Sequence, residues 1–338
     1  MSARGRALVT AEWPDAARVA LADLGVDAAY GGWGRSGQVL DADALVAAAD
    51  GCDLLVVEVE DVSADVLARL PGLRVLAATR GSPTNVDVRA ATARGLPVLA
   101  TPARNAGSVA DFCVGLVLAL ARGISRGERH LRAHGWTYET PRGPELPYLH
   151  VRGPELAGRT LGVVGWGATG RGVARRLVDG FGMRLLVCDP VLAAAGTGDV
   201  DLVGLDELLR GSDVVTLHVP RGPSTDGLVG GRELGLLRDG AWLVNTSGGR
   251  VVDEAALVAA LDAPGGLVGA ALDVFTTEPL PRDSPLLGRD DVVLTPHLAG
   301  ASDDVPSTHA RMVLEDLAAL ADGRPPRRCV NPEVLAAR

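Results

Sequence analysis

The apolar run Thr160-Leu161-Gly162-Val163-Val164 ends in Gly165-Trp166-Gly167-Ala168-Thr169-Gly170 and continues into a helical stretch, Val173 to Val178. A second apolar run, Arg184-Leu185-Leu186-Val187-Cys188, closes on an acid, Asp189, about twenty residues after the glycines. Strand, glycine turn, helix, strand and terminal carboxylate in that order constrain the segment to a βαβ unit. Its first turn lets backbone N–H groups approach a pyrophosphate. Asp189 can accept both ribose hydroxyls of an adenosine and would repel a 2′-phosphate, so the pattern favours NAD over NADP, with Arg184 as a basic residue that softens the preference. A tight βα turn without a ligand is the competing reading of the same glycines.

The fingerprint sits mid-chain, and at 338 residues with 47% apolar content the chain is long enough for two cores. A formal net charge of −9 argues against a sequence-independent grip on nucleic acid or on an anionic membrane. No window is apolar for about eighteen residues, and Met1 to Val9 is too short an apolar run for a signal peptide, so a cytoplasmic protein is expected. Cys52, Cys113, Cys188 and Cys329 are scattered, which predicts free thiols and no metal site. All 33 basic residues are arginine, which removes a pyridoxal Schiff base, a Walker-type lysine and a Tyr/Lys pair for hydride chemistry. The lysine-free, Ala-, Arg- and Gly-rich composition suggests a bacterial gene.

The first hundred residues alternate short apolar runs with amphipathic ones: Ala7 to Thr10, Ala16 to Leu24, Ala42 to Ala49, Leu54 to Val59, Ala64 to Leu70, Val75 to Thr79, Val86 to Ala93 and Val98 to Ala100. That alternation predicts a parallel sheet covered on both faces, with its ligand crevice beyond the carboxyl ends of the strands. Arg80-Gly81-Ser82 lies at one such end. Thr101 to Asn105 reads as a hinge, and Ser108 to His134 as one long packed helix. After the glycine loop, strands are expected at Val214 to Val219, Trp242 to Asn245, Val268 to Val274 and Val292 to Thr295, and a closing helix at Thr308 to Leu320. The fold class is therefore α/β with two Rossmann-like domains: a flavodoxin-like substrate domain (1–104 plus 305–338) and a doubly wound NAD-binding domain (105–304), with a cleft between them.

Chemistry is expected just after the strands, where Asp273, Glu278 and His297 each stand beside a hydrophobic run. A Glu within reach of a His favours its protonated form, which suits a general acid for carbonyl reduction. The competing reading makes Glu278 the cap of a turn and His297 a satisfied loop histidine. His218, at the end of a central strand, reads as a structural hydrogen-bonding residue rather than a catalytic one.

Gly162 to Gly170, Leu217-His218-Val219-Pro220, Leu243-Val244-Asn245-Thr246, Val251 to Leu257, Ala271 to Phe275, Glu278-Pro279-Leu280 and Thr295-Pro296-His297 together resemble the D-isomer-specific 2-hydroxyacid dehydrogenases, in the family's order and over nearly the whole chain. Asn85-Val86-Asp87 and Val109 to Phe112 are similar to it too. The resemblance implies an NAD-dependent oxidoreductase acting on a small-molecule 2-hydroxy or 2-keto acid, and a homodimer built largely by the NAD domains. It makes His297 the acid/base and Glu278 its partner. It puts Asp273 on the nicotinamide side and Gly165, Gly167, Ala168, Thr169, Gly170, Asp189, Val219, Pro220, Thr246, His297 and Gly300 along the cofactor.

One position departs from the family pattern. After Asn245-Thr246-Ser247, where the family carries a substrate-binding Arg, this chain has Gly248, followed by Gly249 and Arg250. Three accounts follow. Arg250 folds back over the two glycines. Alternatively, Arg80 or Arg104, with Gly81 and Ser82, holds the substrate anion. In the third, the chain binds NAD as a catalytically impaired, regulatory relative.

Overall fold

The computed structural model describes residues 5–196 and 200–336. It divides into two compact units, Met1–Asn105 with Ser302–Arg338, and Ala106–Ala301.

In the first unit, β1 (Gly5–Val9), β2 (Val26–Tyr30), β3 (Leu54–Val57), β4 (Val75–Ala78) and β5 (Val98–Leu99) form one parallel sheet in the order β2-β1-β3-β4-β5. This is the flavodoxin-like order. β3 and β4 are buried at every position, as continuous apolar runs in a sheet covered on both faces must be. β2 is absent from the expected pattern because it is an edge strand, Val-Asp-Ala-Ala-Tyr, of which only Val26 is buried. The helix Val305–Ala321 packs its Ala310, Val313 and Leu317 with Leu21 of the helix Asp15–Asp23 and with Val9 and Val56 of the sheet. That contact places the far end of the chain on the first sheet.

His309 of this closing helix is fully buried. Its Nε2 donates to the Glu12 carbonyl at 2.7 Å, so Nδ1 is free to accept from Arg104 Nη1 at 2.9 Å. Burial pushes its pKa down. The Glu12 hydrogen bond and the Glu58 charge act in the opposite direction, while Arg104 adds to the lowering.

In the second unit, β8 (Thr160–Val164), β9 (Arg184–Cys188), β10 (Val214–Leu217), β11 (Ala241–Asn245), β12 (Leu267–Leu272) and β13 (Val292–Leu294) are all parallel, in the order β13-β12-β11-β10-β8-β9. Beyond β9 an outer strand is reduced to a single bridge between Val187 and Leu202. The chain leaves β8 toward β9 on one side and returns to β10 on the other, so a ligand crevice is expected beyond the carboxyl ends of β8 and β10.

The expected long helix is broken. Ala106–Ala121 buries its apolar face, and Ile124–His134 departs from it at 61°. The break is Gly123, at φ +62°, where any Cβ would lie 2.9 Å from the Val151 carbonyl oxygen. A short hairpin follows, pairing β6 (Tyr138–Thr140) with β7 (Gly143–Glu145). Among the described residues no single helix is long and apolar enough to cross a membrane.

The buried imidazole makes a prediction about pH. The unfolded chain takes up a proton below the ordinary histidine value of 6.5, and folded His309 resists it, so stability falls as the pH drops below that value. In urea unfolding, His309→Gln is expected to lower stability at neutral pH and to flatten this acid-side decline relative to the parent.

Candidate active site

The glycine turn after β8 distinguishes two kinds of glycine. At Gly165, φ +95°, a Cβ would lie 2.4 Å from the His218 carbonyl oxygen, and at Gly170 it would lie 2.1 Å from that of Gly165. Both are demanded by the chain's own packing. A Cβ at Gly167, the N-cap of the helix Ala168–Phe181, would meet no atom within 4 Å. That open position sits where the unpaired N–H groups of the helix gather, beside exposed Ala168 and half-buried Thr169. Two strands away in the sheet, Thr246 Oγ1, just past β11, is buried without a hydrogen-bond partner among the described residues. An open glycine at a helix N-terminus and an orphaned hydroxyl fit a polar ligand of the pyrophosphate and nicotinamide type.

Asp189 follows β9. One carboxylate oxygen accepts the Trp166 N–H at 2.8 Å, and the other caps the next helix through Val191 N and Leu192 N at 3.0 and 3.1 Å. The carboxylate therefore fixes the glycine turn as well as offering its remaining lone pairs. Val219 and Pro220 follow His218 at the end of β10. Burial pushes the His218 imidazole down to about 4, and its Nε2 has no partner among the described residues, in place of the structural hydrogen bond expected there.

The strand ends β12 and β13 build the titratable pair. Asp273, 1% exposed, accepts from Thr295 Oγ1 at 2.6 Å, from Leu298 N at 2.8 Å and from Ala299 N at 2.8 Å, and its own carbonyl accepts the His297 N–H at 2.9 Å. Its carboxylate thus ties down the turn Thr295 to Ala299, just before Gly300. Within that turn His297 has φ +56°, a left-handed conformation rare outside glycine.

His297 Nδ1 lies 2.8 Å from Glu278 Oε2, and Glu278 Oε1 accepts the Phe275 N–H at 3.0 Å. Glu278 therefore caps a turn and holds the imidazole at once. Partial burial raises its pKa, but the hydrogen bonds from His297 and Phe275 and the charges of His297 and Arg221 outweigh it, so the carboxyl lies below its ordinary range and is ionised at neutral pH. An ionised partner at Nδ1 fixes the proton there.

The other ring nitrogen faces a residue that no sequence motif singles out. Arg221 Nη2 lies 3.2 Å from His297 Nε2, and Arg221 Nε donates to the Ser247 carbonyl at 3.1 Å. With Gly248, Gly249, Phe275, Thr276 and Glu278 it lines an opening of about 220 Å³. The available signal was the strand order. In a parallel sheet the ends of β10 and β11 are neighbours, so an arginine four residues past β10 reaches the segment after β11.

The other candidate arginines are held by partners of their own, although Arg250 and Asp226 line the same opening as Arg221. Arg250, its side chain 74% exposed, pairs with Asp226 at 3.1 Å. In the first unit, Arg104 is held by Glu58 at 2.6 Å and by His309, and Arg80 reaches Thr84 at 3.3 Å, with Gly81 and Ser82 beside it.

The model of the D-isomer specific 2-hydroxyacid dehydrogenase NAD binding domain matches residues 114–299. A glyoxylate reductase of Korarchaeum cryptofilum is 40% identical over 290 residues, covering 85% of each chain. A D-3-phosphoglycerate dehydrogenase of Mycobacterium tuberculosis is 41% identical over 78% of this chain but only 48% of its own length. Among solved structures, the TT0316 protein from Thermus thermophilus is 34% identical with a TM-score of 0.76, over 96% of this chain and 99% of that one. These similarities, with the fold, define an NAD-dependent oxidoreductase acting on CH–OH groups. The chain belongs to the D-isomer specific 2-hydroxyacid dehydrogenase family.

The two kinds of glycine should separate experimentally. Gly167→Ala is expected to keep thermal stability within about 0.5 kcal/mol and to weaken NADH binding roughly tenfold or more, measured by fluorescence titration. Gly170→Ala, forced against a backbone oxygen, is expected to lose about 2 kcal/mol of stability or more.

Proposed function

We propose that the chain interconverts a 2-keto acid and the corresponding 2-hydroxy acid with NAD(H), with His297 as the acid/base and Glu278 as the group that holds its ring. The observation that carries this reading is the Glu278–His297 contact at 2.8 Å, with the second ring nitrogen 3.2 Å from Arg221, which lines the opening beside Gly248.

The glycine turn would hold the dinucleotide, which would supply or accept the hydride exchanged at the substrate carbon. His297 Nε2 gives the balancing proton to the carbonyl oxygen during reduction and takes it back during oxidation. Glu278, ionised at neutral pH, stabilises the imidazolium through Nδ1 and prevents the ring from turning. Gly165, Gly167, Ala168, Thr169 and Gly170 present backbone to the pyrophosphate, and Asp189 offers lone pairs to the adenosine ribose. Val219, Pro220, Thr246 and Gly300 stand where the sheet order expects the rest of the cofactor. The Arg80-Gly81-Ser82 loop is assigned to substrate contact by its place at the carboxyl end of its own sheet.

We also assign a cytoplasmic homodimer formed through the second unit. Ile124, Leu131, Trp136, Leu146, Tyr148 and Leu149 are all exposed on the segment that follows Gly123, an apolar surface larger than isolated side chains account for. In the same region a cavity of about 650 Å³ opens beside Gly123, Val151 and Trp242, away from the candidate site residues.

Purified protein should oxidise NADH in the presence of 2-keto acids. His297→Asn should cost roughly a hundredfold to ten-thousandfold in kcat while NADH still binds. NADH binding with no hydride transfer across a broad panel of 2-keto and 2-hydroxy acids would leave the regulatory reading in its place. Sedimentation should show twice the chain mass, and the double change Trp136→Glu, Leu149→Glu should shift it to the monomer.

A further inference from the structure

We infer that Arg221 is the residue that binds the substrate's carboxylate, and that Gly248 is glycine in order to make room for it. The inference rests on the dehydrogenase reading above.

Gly248 is buried, yet its backbone, at φ −162° and ψ 137°, is extended and open to any residue. Conformation therefore does not call for glycine there. Space does: a Cβ on Gly248 would lie 2.9 Å from Arg221 Cγ and 3.5 Å from Cδ. The stem of Arg221 lies across the position, and Nε is tied to the Ser247 carbonyl at 3.1 Å. The result is a guanidinium aimed at the acid/base imidazole, with Nη2 at 3.2 Å from Nε2.

The chemistry of a 2-keto acid decides what such a group does. The carbonyl oxygen must come within about 3 Å of Nε2 to receive its proton. The carboxylate is bonded to that same carbonyl carbon, so its oxygens fall within the reach of a cation already touching Nε2. A planar guanidinium is suited to both oxygens of a carboxylate, and a flexible arginine needs only a small rotation about its terminal bonds. The other arginines raised as candidates are engaged with carboxylates or with Thr84, and Arg221 alone among them and itself is placed on the imidazole.

The contact also has a protonation consequence. A guanidinium only donates, so in the structure Nε2 carries a lone pair and Nδ1 carries the proton toward Glu278. A carboxylate that takes the Arg221 N–H groups leaves Nε2 free to face the carbonyl oxygen. Substrate anion and acid/base group are thus coupled through one side chain.

The experiment compares the parent, Arg221→Gln, Gly248→Ala and the double variant Arg221→Gln, Gly248→Ala. One readout is kcat/KM for pyruvate and for its uncharged amide. The other is oxalate binding to the protein–NADH complex by fluorescence quenching. Arg221→Gln should lower kcat/KM for pyruvate and weaken oxalate on the order of a hundredfold, with NADH affinity nearly unchanged and a far smaller change for the amide. Gly248→Ala should lower the same quantities less, and should have no further effect once Arg221 is gone. Equal losses for pyruvate and its amide, unchanged oxalate binding in Arg221→Gln, or additive effects at the two positions would overturn the assignment. If oxalate binding depends on Arg221 while no carbonyl compound is reduced, the anion site stands and the dehydrogenase reading falls.

Discussion

The site depends first on the buried carboxylate of Asp273. Three donors converge on it from the turn after β13, and the peptide N–H of His297 bonds to its carbonyl. Hydrogen bonds to a charged group contribute about 1.5–3 kcal/mol each, whereas a non-glycine residue in the left-handed region costs about 1–2 kcal/mol. The anchor outweighs the strain. It holds His297 at a backbone angle that turns the ring toward Glu278 on one side and Arg221 on the other.

The same device recurs through the rest of the second unit, where single polar groups fix loops by bonding in two directions. Asp189 clasps the glycine turn with one oxygen and starts a helix with the other. Asn245, buried at the end of β11, donates to the Gly248 carbonyl and accepts from both Ser247 N and Oγ, shaping the segment over which Arg221 lies. Glu278 spans Phe275 and His297. Asp189 and Glu278 follow parallel strands and Asn245 ends one, where the ladder runs out and a side chain must settle the chain's course.

Much of this architecture is legible in the sequence because parallel sheets buried on both faces announce themselves as apolar runs with helices between. The alternation gives the α/β class, and the glycine turn gives the dinucleotide unit. Val26–Tyr30 escapes because an edge strand carries polar and small residues, and the kink at Gly123 escapes because one glycine inside an apolar stretch does not by itself break a helix. At the site, local spacing leaves Glu278 either a turn cap or a partner of His297, and the structure shows both contacts, one to each oxygen. Arg221 is invisible for a different reason. Its relation to Gly248 crosses from one strand end to the next, and no reading along the chain brings residues twenty-seven positions apart together without the sheet order.

The interlock between a long side chain and a missing one has a historical consequence. With the Arg221 stem only 2.9 Å from where a Cβ at position 248 would stand, neither residue is free to drift alone. Enlarging position 248 first crowds the guanidinium, and shortening position 221 first leaves a hole beside the imidazole. The two positions are therefore expected to be interdependent, each change setting what the other can accept.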